Sequence, residues 1–250
     1  ANVRMVNLSQ ERKGKKDAIT MGVNLAKGKL IVTTDADCRM NKKWLSSVVN
    51  FYLQENPKLI IGPVLADDKK NILSAFQSLE LMALAGSACG SAYYNKPLLC
   101  SGANLAYEKE TFFSVNGFEG TEHIATGDDM FLMLKIQNVF PKAVRFLKSK
   151  DALVITTPEY YLQNFFRQRK RWASKTFSYK RNYITGIAVF IFLFNFLVML
   201  SGVLSVLNNK FVPIFLLCFF SKFFFDFILV FTVSSFFGRK KSLIWFIFAS

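Results

Sequence analysis

Histidine is nearly missing from this sequence: His123 is the only one in 250 residues. That effectively excludes a metal site built from a histidine cluster and nucleophilic catalysis by a Ser–His triad. Cysteine is scarce too. Cys38, Cys89, Cys100 and Cys218 show neither zinc-type nor redox-type spacing, and are expected to be reduced packing residues. Acidic residues number only 17 against 32 lysines and arginines, which leaves a formal charge of +15. No signal-peptide pattern, internal repeat or low-complexity linker is present, so one globular domain is the economical reading of the polar part.

Apolar residues are abundant, at 52%, with 28 phenylalanines. A strong basic excess seldom accompanies such richness in one soluble domain, and dividing the chain resolves the conflict. Residues 1 to about 182 mix polar turns with short apolar runs, whereas the remainder, to residue 250, is almost continuously apolar. The stretch ITGIAVFIFLFNFLVMLSGVLSVL, 184–207, carries no charge and is long enough to cross a hydrocarbon core as a helix. A second span is expected at about 211–237, where Lys222 and Asp226 lie four apart and can pair on one helix face. A third is expected to begin near Leu243 and to be cut off at Ser250, so that only 243–250 of it is present. Ala1 is not an initiator methionine and the last residues lie inside an apolar run, so both ends are expected to be internal to a longer protein.

Arg167, Arg169, Lys170, Arg171, Lys175, Lys180 and Arg181 precede the first span; Arg239, Lys240 and Lys241 come after the second, with only NNK between. This bias predicts an integral membrane protein, of a plasma or inner membrane, whose globular part lies in the cytoplasm. Nucleic acid also attracts basic residues, but these sit against the spans without an aromatic nucleic-acid module, so no such partner is expected.

Within the polar part, VRMVNL (3–8) reads as a short strand. KGKKDAITMGVNLAKGK (13–29) reads as a helix with Ala18, Ile19, Met21, Gly22, Leu25 and Ala26 on one face and Gly28 as C-cap. LIVTTDAD (30–37) comes next as a buried strand. The next helix puts Trp44, Leu45, Val48, Val49 and Tyr52 inward and stops at Pro57, and LIIGPVL (59–65) is another buried strand. A helix over 71–85 gives way to a looser Gly/Ser/Ala-rich stretch up to Ala92. An extended 143–157 precedes a helix from about Pro158. Such alternation predicts an α/β sheet with parallel strands and ligands beyond their carboxyl ends.

Three constellations carry chemistry. Asp35 and Asp37, one residue apart at a strand end, suit either a turn or a hard cation such as Mg²⁺ or Mn²⁺ shared with a diphosphate. Asp128 and Asp129 open the apolar run DDMFLMLKI, where they are helix N-capping acids or include a general base for a hydroxyl. In QRKRW, Gln168, Arg171 and Trp172 share a helix face that can grip a phosphate and stack on a sugar, or lie at a membrane interface.

The order of these motifs, with apolar spans after them, resembles the family 2 inverting glycosyltransferases of the GT-A fold. The likeness is greatest to the membrane-embedded branch of cellulose, hyaluronan and chitin synthases and ceramide glucosyltransferase. The resemblance implies a Rossmann-like, mainly parallel α/β catalytic domain over 1–157 with its first strands missing, an interface helix over 158–182 and a transmembrane region over 183–250. It implies a hexosyltransferase that moves sugar from a nucleotide-diphosphate donor to a hydroxyl of a lipid or growing polysaccharide. Asp129 becomes the catalytic base, with Asp128 where many members have glutamate. Asp37 becomes the main ligand of Mg²⁺ or Mn²⁺, with Asp35 near the metal or the ribose. Gln168, Arg171 and Trp172 contact the diphosphate and shape the acceptor end, and Gly102 and Asn104 line the acceptor pocket. Lys15 or Lys16 falls where the family has a GK near the nucleotide, and the assignment goes to Lys16. The alternative is a membrane-anchored, non-catalytic scaffold with a degenerate transferase domain.

Overall fold

The computed structural model describes residues 5–7, 14–67, 71–121, 124, 127–174, 179 and 181–248. The strand expected at 3–8 falls largely outside them, and residues 5–7 belong to no element. In chain order come α1 (Lys15–Leu25), β1 (Leu30–Thr33), β2 (Arg39–Met40), α2 (Trp44–Glu55), β3 (Leu59–Ile61), β4 (Val64–Ala66) and α3 (Ile72–Tyr93). A 3-10 turn, Gly102–Asn104, leads into β5 (Leu105–Glu108), α4 (Lys109–Ser114), α5 (Asp128–Val139), β6 (Val144–Phe146) and β7 (Val154–Thr156). Then come α6 (Leu162–Ala173), α7 (Asn182–Leu207), α8 (Val212–Phe237) and a 3-10 segment, Lys240–Phe248. The chain divides into two compact units, Ala1–Leu65 with Ser87–Thr157 and Ala66–Gly86 with Pro158–Ser250.

The first unit is built on a four-stranded sheet of order β1-β5-β3-β6 and a three-stranded one of order β2-β7-β4. β5 runs antiparallel to both β1 and β3, and β3 pairs parallel with β6. So β1, β3 and β6 point the same way, as the helical crossovers demand, but the sheet is mixed rather than mainly parallel. The expected parallel neighbours β1 and β3 are separated by β5, a strand that the sequence pattern did not reveal. Leu59, Ile60 and Ile61 of β3 are buried on both faces, and the core around Ile60 takes Val48 and Tyr52 from α2, Ala106 from β5, and Leu147 and Ala152. The single strand expected over 59–65 is two, in different sheets, broken at Gly62-Pro63.

That break has a packing cause. A Cβ on Gly62 would lie 2.2 Å from the Asn104 side chain. The Asn104 amide donates to the carbonyls of Pro63 and Ala152, each at 2.9 Å, and accepts from Trp44 Nε1 at 3.0 Å. Its polar atoms are thereby satisfied in the interior, where an unmet one would cost about 1–3 kcal/mol. Two helix faces differ from expectation as well. On α1, Val23 is the buried residue, Ala18 and Leu25 are exposed, and the helix ends at Ala26 rather than Gly28. On α2, Leu45 and Val49 are exposed while Val48 and Tyr52 are buried. None of the four cysteines is in a disulfide, and Cys38 packs against the cluster of Val64, Ala103 and Val154.

In the second unit, α7 and α8 are 26 residues each, which at 1.5 Å per residue is about 39 Å, more than the roughly 30 Å hydrocarbon core. Hardly any of their residues are buried, as is compatible with helices that face lipid. Lys222 pairs with Asp226 at 2.5 Å on one face of α8, as their spacing requires. Among the described residues one further helix, α3, is long and apolar enough to cross a membrane. Residues 240–248 form a nine-residue 3-10 segment. α3 runs unbroken through the Gly/Ser/Ala-rich stretch expected to be loose, where the glycines Gly86 and Gly90 are isolated, each costing only about 1 kcal/mol against alanine.

Candidate active site

β1 ends at Thr33, and the chain turns back toward β2 through a turn closed by the Cys38 N–H on the Asp35 carbonyl at 3.2 Å. The backbone therefore takes the turn role weighed for this motif, and it leaves both carboxylates outside the turn. Lys15, in the first turn of α1, donates from Nζ to Asp35 Oδ1 at 2.7 Å, with both side chains close to half exposed. Exposed pairs of this kind stabilise by about 0–1 kcal/mol, so the contact is easily exchanged. Asp37 is anchored from the other side: Thr156 Oγ1 donates to its Oδ2 at 3.2 Å and Thr157 Oγ1 to its carbonyl at 3.3 Å.

The second acid pair opens α5. Asp128 is buried, and Asp129 accepts from the Gly102 N–H at 2.9 Å through Oδ2 and from the Met130 N–H at 2.8 Å through Oδ1. Burial, and then the neighbouring Asp128 charge, raise the Asp129 carboxyl above the ordinary aspartate value, opposed by the two backbone donors and by Lys15. Lys15 is penalised by burial, yet its bond to Asp35 and the charges of Asp128, Asp35 and Asp129 leave its ammonium raised. The helix N-terminus favours negative charge, which lets two adjacent acids coexist there.

Gly102 is where these parts meet. Its N–H holds Asp129, its carbonyl accepts from Thr33 Oγ1 at 3.2 Å, and a Cβ would sit 3.3 Å from Lys15 Nζ. The 3-10 turn thus brings the carboxyl end of β1, the start of α1 and the start of α5 to one place. Cys100, just before it, is pushed well up by burial and by Asp129 and Asp128, and stands there as a neutral thiol.

Two assignments made from the sequence change. Lys16 points away from the acids. Its ammonium donates to the Thr121 carbonyl, and to that of Ile124 at 2.8 Å, because successive helical residues project about a quarter-turn apart. Lys15 is the lysine at the acid site. Asn104 is not a pocket residue, since its amide is spent on the buried contacts described above. Asp35, Asp37, Asp128, Asp129 and Gly102 remain at the carboxyl end of β1 and around it.

Gln168, Arg171 and Trp172 belong to the second unit. α6 is amphipathic and has no buried residue; Gln168 is half-buried, whereas Arg171 and Trp172 are exposed. The sequence assigned Arg169 to the membrane-facing basic set. It is instead half-buried, paired with Glu80 of α3, and stacked 4.1 Å from the Trp172 ring. Its signal was available in the spacing, because 165, 169 and 172 share a face.

A divalent cation can be tested against these residues by donor chemistry. Among the described residues no three or more His, Cys, Asp or Glu side chains gather as a protein-only cage. Asp35 and Asp37 supply exposed hard-oxygen donors and leave positions open, which suits an ion completed by substrate oxygens and water. The pair fits a shared site.

No curated protein matches the sequence. The family model described as "Glycosyl transferase family group 2" matches residues 30–248, from β1 through the last 3-10 segment. With the acid pairs lying inside that match, the chain belongs to glycosyl transferase family group 2.

Proposed function

We propose that the protein is a membrane-bound inverting glycosyltransferase that moves a sugar from a nucleotide-diphosphate donor to a hydroxyl of a lipid or growing polysaccharide on the cytoplasmic face. The observation that carries this reading is the setting of Asp129. It is a half-buried carboxylate, held by two backbone N–H groups and raised by desolvation and Asp128. A base raised toward the operating pH keeps more driving force for taking a proton. Asp129 accepts the proton of the acceptor hydroxyl as that oxygen attacks the anomeric carbon from the side opposite the diphosphate. The bond to the diphosphate breaks in the same displacement, so the configuration inverts.

Asp37, with Asp35, would hold Mg²⁺ or Mn²⁺, whose charge would offset that gathering on the departing diphosphate. Lys15 adds a cation at the same acids. Arg171, with Gln168, serves the diphosphate, and Trp172 offers an indole face to the acceptor sugar or headgroup; these roles follow the family pattern. The test is release of nucleoside diphosphate by the full-length protein in membranes, from UDP-glucose, UDP-N-acetylglucosamine and GDP-mannose, with Mg²⁺ or Mn²⁺ and with chelator. Metal-dependent release from one donor supports the reading, and absence of release from a full donor panel contradicts it.

A further inference from the structure

The QRKRW segment contains a cation that the proposed function does not use. Arg169 is inside the second unit, its Nη2 paired with Glu80 Oε2, both side chains mostly buried. Its guanidinium carbon lies 4.6 Å from the Phe165 ring and 4.1 Å from the Trp172 ring. Nε and Nη1 are buried without a hydrogen-bond partner. A guanidinium is left in that state only where something else replaces the missing acceptors, and here two aromatic faces do so. Phe76 meets Phe165 edge-on at 6.0 Å, one turn before Glu80 meets Arg169, so α3 and α6 run in the same direction and mesh in register. The guanidinium therefore spans from a fixed carboxylate on α3 to the Trp172 indole, which is itself 37% exposed.

We propose that Arg169, clamped by Glu80, is a positioning residue that sets the orientation of the Trp172 indole. The function drawn from it rests on the reading of Trp172 as an acceptor contact. The clamp itself does not. A free exposed indole samples several rotamers, whereas one covered on one face by a fixed guanidinium presents the other face outward. Arg169 acts through Trp172 and touches no substrate.

The test uses the full-length protein, with Trp172→Phe defining the Trp172 share of the fluorescence. Arg169→Met is expected to raise the acrylamide quenching constant of that share roughly twofold or more, as the cation–π contact is lost. It is also expected to raise the acceptor KM while kcat for donor hydrolysis stays near wild type. Because Arg169→Met leaves Glu80 unpaired and the fold is at risk, the exchange Glu80→Arg/Arg169→Glu is the second variant. It restores the ion pair and thermal stability but puts a carboxylate beside the ring, so quenching stays high and the acceptor KM stays raised. A purely structural pair would recover every readout in the exchange, and that result overturns the proposal. Unchanged quenching in Arg169→Met overturns it as well. Changed quenching with an unaltered acceptor KM, where Trp172→Phe also leaves that KM unaltered, overturns the acceptor role of Trp172 and leaves the clamp standing.

Discussion

The two ends of the four-stranded sheet each hold a carboxylate partly or wholly out of solvent, and they treat it in opposite ways. At the amino end of β3, Glu108 accepts from Tyr52 Oη at 2.8 Å, Lys58 Nζ at 2.6 Å and Thr111 Oγ1 at 3.0 Å. Burial works to raise its carboxyl, but those donors overcome it and hold Glu108 below the ordinary range. At the other end Asp129 has two backbone donors and a carboxylate neighbour, and burial wins. Glu108 is buried and Asp129 half-buried, and both are penalised by desolvation; their donor supply separates them. Glu108 is closed off by a lysine, a tyrosine and a threonine and serves the fold. Asp129 keeps proton affinity and lies beside a turn whose acids are open to solvent.

Exchanging each acid for its amide sharpens the contrast most. Glu108→Gln leaves Lys58 without its charge partner and is expected to cost about 2–4 kcal/mol of stability at neutral pH, read from thermal or denaturant unfolding. The sign follows from the lowered carboxyl: its contribution is present above the unfolded value and is lost as pH falls through the folded one. Asp129 has the reverse sign. A raised carboxyl stabilises at acid pH, and that contribution is lost as pH rises through its folded value, so the ionised group is a burden at neutral pH. Asp129→Asn is therefore expected to unfold at or above the wild-type temperature.

A smaller loss, roughly 1–3 kcal/mol, is expected for Asn104→Ala, which strands the Pro63 and Ala152 carbonyls and the Trp44 N–H. Donor and acceptor preference should be unchanged, which separates a buried rivet from a pocket residue. The smallest effect belongs to Asp128→Asn. It removes the like charge that helps raise Asp129, so the acid limb of the pH–rate profile is expected to move to lower pH. An unmoved limb would detach Asp128 from the titration of the base.

How much of this was legible in the sequence depends on what each pattern encodes. Period-two and apolar runs located β1 and β3, and capping logic located the start of α5, so Asp35, Asp37 and Asp129 were found at element ends. Strand direction is not written in periodicity, and β5 arrived unannounced between β1 and β3 because LAYE is too short to stand out. A two-residue Gly-Pro break split one expected strand between two sheets, which only the placement of Asn104 explains. Adjacent lysines on a helix cannot be ranked without knowing which way the helix is rolled, and Lys15 displaced Lys16 for that reason. Apolar content alone did not separate α3 from α7 and α8: all three are long and apolar, but nearly half of α3 is buried and almost none of the other two.

The claim at the centre is a division of labour, with Asp129 taking the proton and Asp37 holding the cation. The most direct measurement is on Asp129→Asn in the full-length protein, reading donor turnover and, in the same preparation, Mn²⁺ binding by electron paramagnetic resonance with inorganic pyrophosphate present. The expected result is a loss of turnover of about 10²- to 10⁴-fold, the usual contribution of a general base, with Mn²⁺ affinity unchanged and Asp37→Asn losing that affinity instead. Near-normal turnover in Asp129→Asn, or Mn²⁺ affinity that falls with it, would contradict the division.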